Sequence, residues 1–314
     1  MRSMNAPSPF RWDVSAYPRA TGFALAMLGA VLFSAKAVVV KLTYRYGIDA
    51  VTLIAFRMLF ALPFFALIAW RQSRLAARGQ LQVLNWRDGC QVVVLGLIGY
   101  YLSSFLDFLG LRYITASLER LILFLSPTFV LLLSAVVLKR TISRQQWWAM
   151  VLSYAGVVLV FWRDLSLGGD AVLLGSFFVL CSAVSYAVYL IASGELIKRV
   201  GATRLVAYAM SVSSIACILQ FLVVHPVNVL VQPTGVYGLS FIHGTLNTVL
   251  PVFMIMWAVE RVGAPLAAQL GMIGPVSVLF LAAWLLDEPI TLLQLAGTAL
   301  VLIGIFVLTS KRTT

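Results

Sequence analysis

The sequence predicts an all-α membrane protein: ten transmembrane helices in two inverted five-helix repeats. Three observations predict it. The 314 residues are 61% hydrophobic and only 11% charged, where ordinary soluble domains carry about 25% charged residues. Mean hydropathy is +0.98, and the apolar residues gather into runs long enough to cross a bilayer. The second half of the chain repeats the first at a constant offset of 148 residues.

The duplication is clearest around the stretch from Tyr113 to Ser143. It contains a membrane-length apolar run, yet it holds Glu119 and Arg120, which are costly in lipid, and Pro127, which leaves the carbonyl of Leu123 without its helical donor. The pattern returns from Ala264 to Thr291. With Pro127 set on Pro275, Ala116, Leu118, Val130 and Leu131 fall on Ala264, Leu266, Val278 and Leu279 without a gap. Gln146 falls on Gln294 and Gly156 on Gly304. Apolar matches are cheap in a membrane protein, but Pro, Gln and Gly in one register are not.

Taken in order, residues 1–20 form a polar arm with Pro7, Pro9 and Pro18. The first repeat, 21–162, has spans at 21–41, 51–70, 89–110, 113–138 and 145–162. The second, 170–309, has spans at 170–192, 203–224, 236–258, 264–286 and 291–309, and 310–314 is a short tail. Five spans is an odd number, so the second copy enters the membrane upside down. The charges agree. With the N-terminus inside, 16 Lys and Arg lie in inner segments and 4 in outer loops, which puts both termini in the cytoplasm of a bacterial inner membrane. Lys139 and Arg140 align with Asp287 and Glu288, so a basic pair faces in where an acidic pair faces out.

The net charge of +12 would suggest nucleic acid in a soluble protein. Here the basic residues follow the membrane topology and no separate basic domain exists, so no nucleic-acid partner is expected. Cys90, Cys181 and Cys217 lie in or beside apolar spans, with no CxxC pair and no disulfide framework. The first apolar run begins near Thr21 and is too long for a cleavable signal core.

Ten spans in two halves of five resemble the drug/metabolite transporter superfamily, EamA type. The resemblance is carried by the half-ending segments SLERLILFLSPTFVLLLSAVVLKRTIS and LAAQLGMIGPVSVLFLAAWLLDEPIT, and by FSAKAVVVK at 33–41 and CSAVSYAVY at 181–189. It covers nearly the whole chain after residue 21. Lys139-Arg140 departs from the Gly-Glu that the family often has there. The resemblance implies the fold and a transport role, and leaves open amino acids, nucleotide precursors, sugars or drugs as substrates.

Ionisable groups within the spans mark the candidate site. Lys36, Arg57, Asp107, Glu119, Arg120 and His243 lie on five spans at similar depth, roughly 5–10 Å below the outer boundary. Nearly all come from the first half: their partners at offset 148 include Val184, Ile255, Ala267 and Ala268. One reading is a vestibule in which three cations face two carboxylates and the surplus charge, above all Arg120, receives a substrate carboxylate. Another is a structural ion-pair network that locks spans 1–4 together, and for Lys36 and Arg57 a further one is snorkelling to the outer interface.

Pro127 and Pro275 free the carbonyls of Leu123 and Gly271, acceptors for a substrate ammonium if the kinks are more than bends. His243, Asn247 and Pro251 form a stripe along span 8. The histidine serves either proton coupling or a bond to a neighbouring helix. Tyr101 and Gln269 complete the expected lining. No cofactor or metal is expected, and no Walker loop, HExxH or CxxC supports an enzyme. The expected function is a secondary transporter exporting small polar metabolites such as amino acids. The alternative is a flippase for a lipid-linked carrier. The partners are the substrate and the bilayer, and ten spans suffice for a monomer.

Overall fold

A computed structural model describes residues 18–137, 139, 141–262, 270–271 and 273–309. The expected arm up to residue 17, the tail 310–314, Arg140, Gln269 and most of the stretch 263–272 lie outside the described residues.

Every regular element described is helical. In order they are α1 (Pro18–Ser34), α2 (Lys36–Tyr44), α3 (Ala50–Ala77), α4 (Trp86–Gly96), α5 (Ser103–Leu111), α6 (Ala116–Leu123), α7 (Ser126–Val137), α8 (Arg144–Gly168), α9 (Asp170–Val200), α10 (Ala202–Val224), α11 (Thr234–Gly244), α12 (Leu250–Val262), α13 (Ile273–Leu286) and α14 (Leu292–Thr309). A π-helical turn joins α4 to α5 at Leu97–Leu102, and another joins α11 to α12 at Thr245–Val249. Among the described residues these elements make eight apolar helices of membrane length, from Ala20–Tyr44 to Thr234–Ile255. α13 and α14 are apolar but shorter. Three helices overrun the expected bounds most, α3 to Ala77, α8 to Gly168 and α9 to Val200, and each ends within two residues of a glycine at positive φ, Gly79, Gly169 and Gly201.

The ends are set by local chemistry. Asp49, Asn85 and Thr115 cap α3, α4 and α6 by accepting from backbone N–H groups two or three residues on. α8 opens with a capping box between Ser143 and Gln146. α14 opens with the same pair of bonds between Thr291 and Gln294. These positions are 148 apart, which is why the glutamine match is informative.

Other features repeat at that offset. The π turns begin at Leu97 and Thr245. The described non-glycine residues at positive φ are Lys139 and Asp287. Gly156 approaches Gly297 and Val301, while Gly304 approaches Ala149 and Ser153. Each of these contacts becomes another when 148 is added to one partner and taken from the other, the signature of a two-fold relation between halves. The larger pairings behave alike: α3 packs on α10 and α8 on α14, while α1 on α12 is matched by α9 on α5.

Small residues permit these approaches. Ala26 and Ala30 of α1 are buried, and a Cβ on Gly29 would stand 3.2 Å from Met254 and 3.1 Å from Ile255 of α12. The small-residue stripe of the first span is therefore used inside one chain. Trp70, Trp86, Trp147 and Trp162 are exposed, as an interfacial belt requires.

Bonds sort the connections into two ends. At one, Arg204 donates to the Gln82 carbonyl and Arg199 pairs with Asp88. At the other, His225 pairs with Asp49, Arg45 donates to the Leu286 carbonyl, and Glu288 accepts from Ala116.

Candidate functional site

The backbone is interrupted where the two halves meet. α1 and α2 are separated at Ala35, and α6 and α7 at Phe124–Leu125. α13 begins only at Ile273, and the π turns interrupt two more spans. Span 4 is thus two helices rather than one kinked helix. α6 stops at Leu123 because Pro127 has no N–H to continue the ladder. The expected free acceptors are already taken. Ser126 Oγ donates to the Leu123 carbonyl at 2.6 Å, and the Gly274 N–H to the Gly271 carbonyl at 3.0 Å. A hydroxyl one residue before the proline supplies the bond the ring removes.

The two breaks face each other. A Cβ on Gly274 would lie 3.4 Å from Phe124 Cζ and 3.5 Å from Arg120 Nη2, and would overlap Ser34 Oγ. Pro275 is buried and Pro127 half-buried.

The charged residues of the first half converge beside this junction. Lys36 Nζ donates to Asp107 Oδ2 at 2.5 Å and stands 3.5 Å from Glu119 Oε1. Neither oxygen of Glu119, itself 0% exposed, takes a hydrogen bond. Arg120 is 5% exposed, and its guanidinium lies between Phe33 and Phe124, 5.1 Å and 5.2 Å from the ring centroids. Its Nε is buried without a partner. Two cations and two carboxylates thus form one cluster, with Lys36 shared between Asp107 and Glu119.

Arg57 lies one layer away. Its Nε donates to Thr248 Oγ1 at 3.0 Å, its Nη1 to Ser104 Oγ at 3.4 Å, and it faces the Phe108 ring. Phe108 in turn stacks on His243 at 5.3 Å. The snorkelling expected of Lys36 and Arg57 does not occur. They are 8% and 7% exposed and spend their donors inside the protein, because acceptors on other spans are nearer than the interface. His243 bonds to no neighbouring helix: both ring nitrogens are buried without partners. Asn247 donates to the Leu32 carbonyl at 2.6 Å, while its Oδ1 is unpartnered.

The profile of the EamA-like transporter family matches residues 20–162 and again residues 173–310. The chain belongs to that family. It is 30% identical over 288 residues to YcbK of Bacillus subtilis (strain 168), an uncharacterized transporter, covering 88% of this chain and 89% of that one. It is 28% identical over 229 residues to an uncharacterized transporter of Archaeoglobus fulgidus, covering 73% and 80%. A solved crystal structure superposes with a TM-score of 0.63 over 92% of this chain and 96% of that one, at 18% identity, a likeness of fold.

In this EamA-like protein the predicted residues do not all meet. Lys36, Asp107, Glu119 and Arg120 form one group; Arg57 and His243 form a second around Phe108. Asn247 reaches across to α1, and Pro251 follows the π turn. Tyr101 stacks on Phe105 of its own span. Sequence reasoning missed Phe33, Thr248 and Glu288. Glu288 takes the Ala116 N–H at 3.0 Å and the Ser117 hydroxyl at 3.2 Å. It thereby seats a carboxylate from the second half on the N-terminus of the helix carrying Glu119 and Arg120, where the helix dipole favours it. The Glu beside Asp287 was legible as an acidic pair, but not as a contact.

Buried atoms without a hydrogen bond include Ser34 Oγ, Asp107 Oδ1, both oxygens of Glu119, Arg120 Nε, both nitrogens of His243 and Asn247 Oδ1, while others such as Thr52 Oγ1, Ser213 Oγ and Thr298 Oγ1 lie elsewhere. Each is costly when left unsatisfied.

Proposed function

We propose that the protein is a secondary transporter working by alternating access, built as ten spans in two inverted five-helix repeats with both termini cytoplasmic, and that it exports small polar metabolites such as amino acids across a bacterial inner membrane. One observation carries the reading: Ser34 and Arg120, each with a buried polar atom that has no hydrogen-bond partner, meet Gly274 at the facing breaks of spans 4 and 9, beside the Lys36, Asp107 and Glu119 charges. Discontinuous helices at a repeat interface are where transporters of this architecture hold their substrates.

Arg120 takes the substrate carboxylate. Its guanidinium lies against the Phe33 and Phe124 rings, 5.1 Å and 5.2 Å from their centroids, which helps to set its orientation before the substrate arrives. Glu119 takes the ammonium, in place of the kink carbonyls, each of which already accepts one bond. Lys36 with Asp107 keeps the pocket close to neutral when it is empty. At the outer end, Asp49–His225, Arg45–Leu286 and Glu288–Ala116 all join one half to the other. They must part for the substrate to leave outward. The flippase alternative asks the charged group to open sideways to lipid, and those residues are instead enclosed.

Reconstitution in proteoliposomes tests the proposal. Entrapped amino acids should exchange with labelled external amino acid in the presence of the wild-type protein and not of Arg120→Ala. Equal exchange by both would remove Arg120 from the site.

A further inference from the structure

Away from the charged group, a cavity of about 580 Å³ runs between α3, α4 and α10 at the end of the molecule where the Arg204–Gln82 bond lies. None of the residues discussed as a transport site lines it. Its walls are apolar, from Ala76, Ala77, Val92 and Val212 to Val83, Val93 and Ile215, of which the last three are exposed. It extends along α10 from Arg204 to Ile215, eleven residues, or about 16 Å at 1.5 Å per residue, close to the depth of one leaflet of a ~30 Å hydrocarbon core.

Its mouth is polar and basic. Arg204 is 5% exposed and lines the cavity; its Nη1 serves the Gln82 carbonyl, while its Nε is buried with no acceptor. Ser73 and Tyr208 share a hydrogen bond at 2.6 Å beside it. Arg71, Arg74, Arg78 and Arg87 are exposed on the adjoining helix ends and loop. The acidic residue nearby, Asp88, is matched by Arg199 at 3.0 Å, so the surplus is positive.

We propose that this groove is a binding site for an anionic phospholipid: one acyl chain lies along α10 and the phosphate sits at Arg204 and the Ser73–Tyr208 pair. Length, apolar walls and a basic rim at the membrane surface together fit a lipid held by its headgroup charge. A soluble anion would not need the apolar depth, and a neutral lipid would not need the arginines. A Cβ on Gly89, which lines the groove, meets no atom within 4 Å, so this wall is open space.

Native mass spectrometry of the full chain tests this with two probes of equal acyl composition, phosphatidylglycerol and phosphatidylcholine. The wild-type protein should retain phosphatidylglycerol with about a tenfold preference, the equivalent of one to two surface charges. Arg204→Gln should lose that preference. Gly89→Phe, or Val93→Trp on the exposed rim if the first variant folds poorly, should abolish retention of both lipids while leaving thermal stability in detergent unchanged. Equal retention of the two probes by the wild-type protein would overturn the proposal. So would wild-type retention by both filled-groove variants, or a dimer that Gly89→Phe dissociates, which would give the groove to a second copy of the chain.

Discussion

Glu288 Oε1 lies 3.0 Å from the Ala116 amide, so a carboxylate from the second repeat closes the N-terminus of the short helix that carries Glu119 and Arg120. The bond ties a loop of one half to the helix of the other half that carries the charged pair. Glu288→Ala should cost about 1–2 kcal/mol, the usual range for a charge-assisted cap that is partly buried. It should also raise labelling of a cysteine introduced at Ser117 by an impermeant thiol reagent. Unchanged stability and labelling would show that Glu288 closes nothing.

Arg120 should not be replaceable by lysine. The guanidinium lies 5.1 Å and 5.2 Å from the Phe33 and Phe124 centroids, and an ammonium there would not offer a fork to a carboxylate. Arg120→Lys should keep the protein folded and lower exchange at least tenfold. Activity within twofold of wild type would mean that charge alone matters.

The Lys36 pair offers a double-mutant cycle. Lys36→Met leaves Asp107 and Glu119 buried without their cation, a loss of about 3–5 kcal/mol. Adding Asp107→Asn should recover part of that loss, giving a coupling energy above about 1 kcal/mol in denaturant titrations. Additive losses would show that the two residues do not share their charge.

The glycine contacts predict symmetric damage. Gly156→Ala and Gly304→Ala each push a methyl group into backbone of the opposite helix: Gly297 in one case, Ala149 in the other. Each should destabilise by about 1–3 kcal/mol, and by similar amounts. A large effect at one position and none at the other would break the two-fold relation of α8 and α14.

Asp49 sets a pH dependence outside the spans. Burial pushes its carboxyl up, but bonds from Thr52 and His225 outweigh that and hold it below its ordinary value of 3.8. A folded value below the unfolded one means that the contribution is fully present above that pH and is lost as pH falls through the folded value. Asp49→Ala should therefore cost about 1 kcal/mol at pH 7, where the N-cap is also lost, and progressively less below pH 4. A gap that stays constant into acid would assign the effect to packing.

Much of the fold was legible because membrane crossing leaves so few solutions. Backbone polar groups must be satisfied within each segment, so apolar runs of this length become helices. The offset of 148 then anticipated the matched π turns and the matched capping boxes at Ser143 and Thr291. The site was legible only in part. Lys36, Asp107, Glu119 and Arg120 stood out because charge is scarce in spans. Phe33, Thr248 and Glu288 did not, since an aromatic, a threonine and a loop acid are ordinary residues until something packs against them. In the sequence the prolines read as kinks that free carbonyls; Pro127 stands instead just past a break between two helices, and the Leu123 and Gly271 carbonyls each accept a bond. The donors that fill those carbonyls, Ser126 Oγ and the Gly274 amide, depend on the geometry of the turn.

The sequence by itself determined the class of molecule, its helices, its duplication and which side chains would be expensive to bury, because hydropathy, period and repetition are properties of the chain in one dimension. Only the tertiary structure decided which of those charges met. Pairing depends on distances across helices far apart in the chain, and placed Lys36 against Asp107, Arg120 between two rings and His243 against Phe108 with no hydrogen bond of its own.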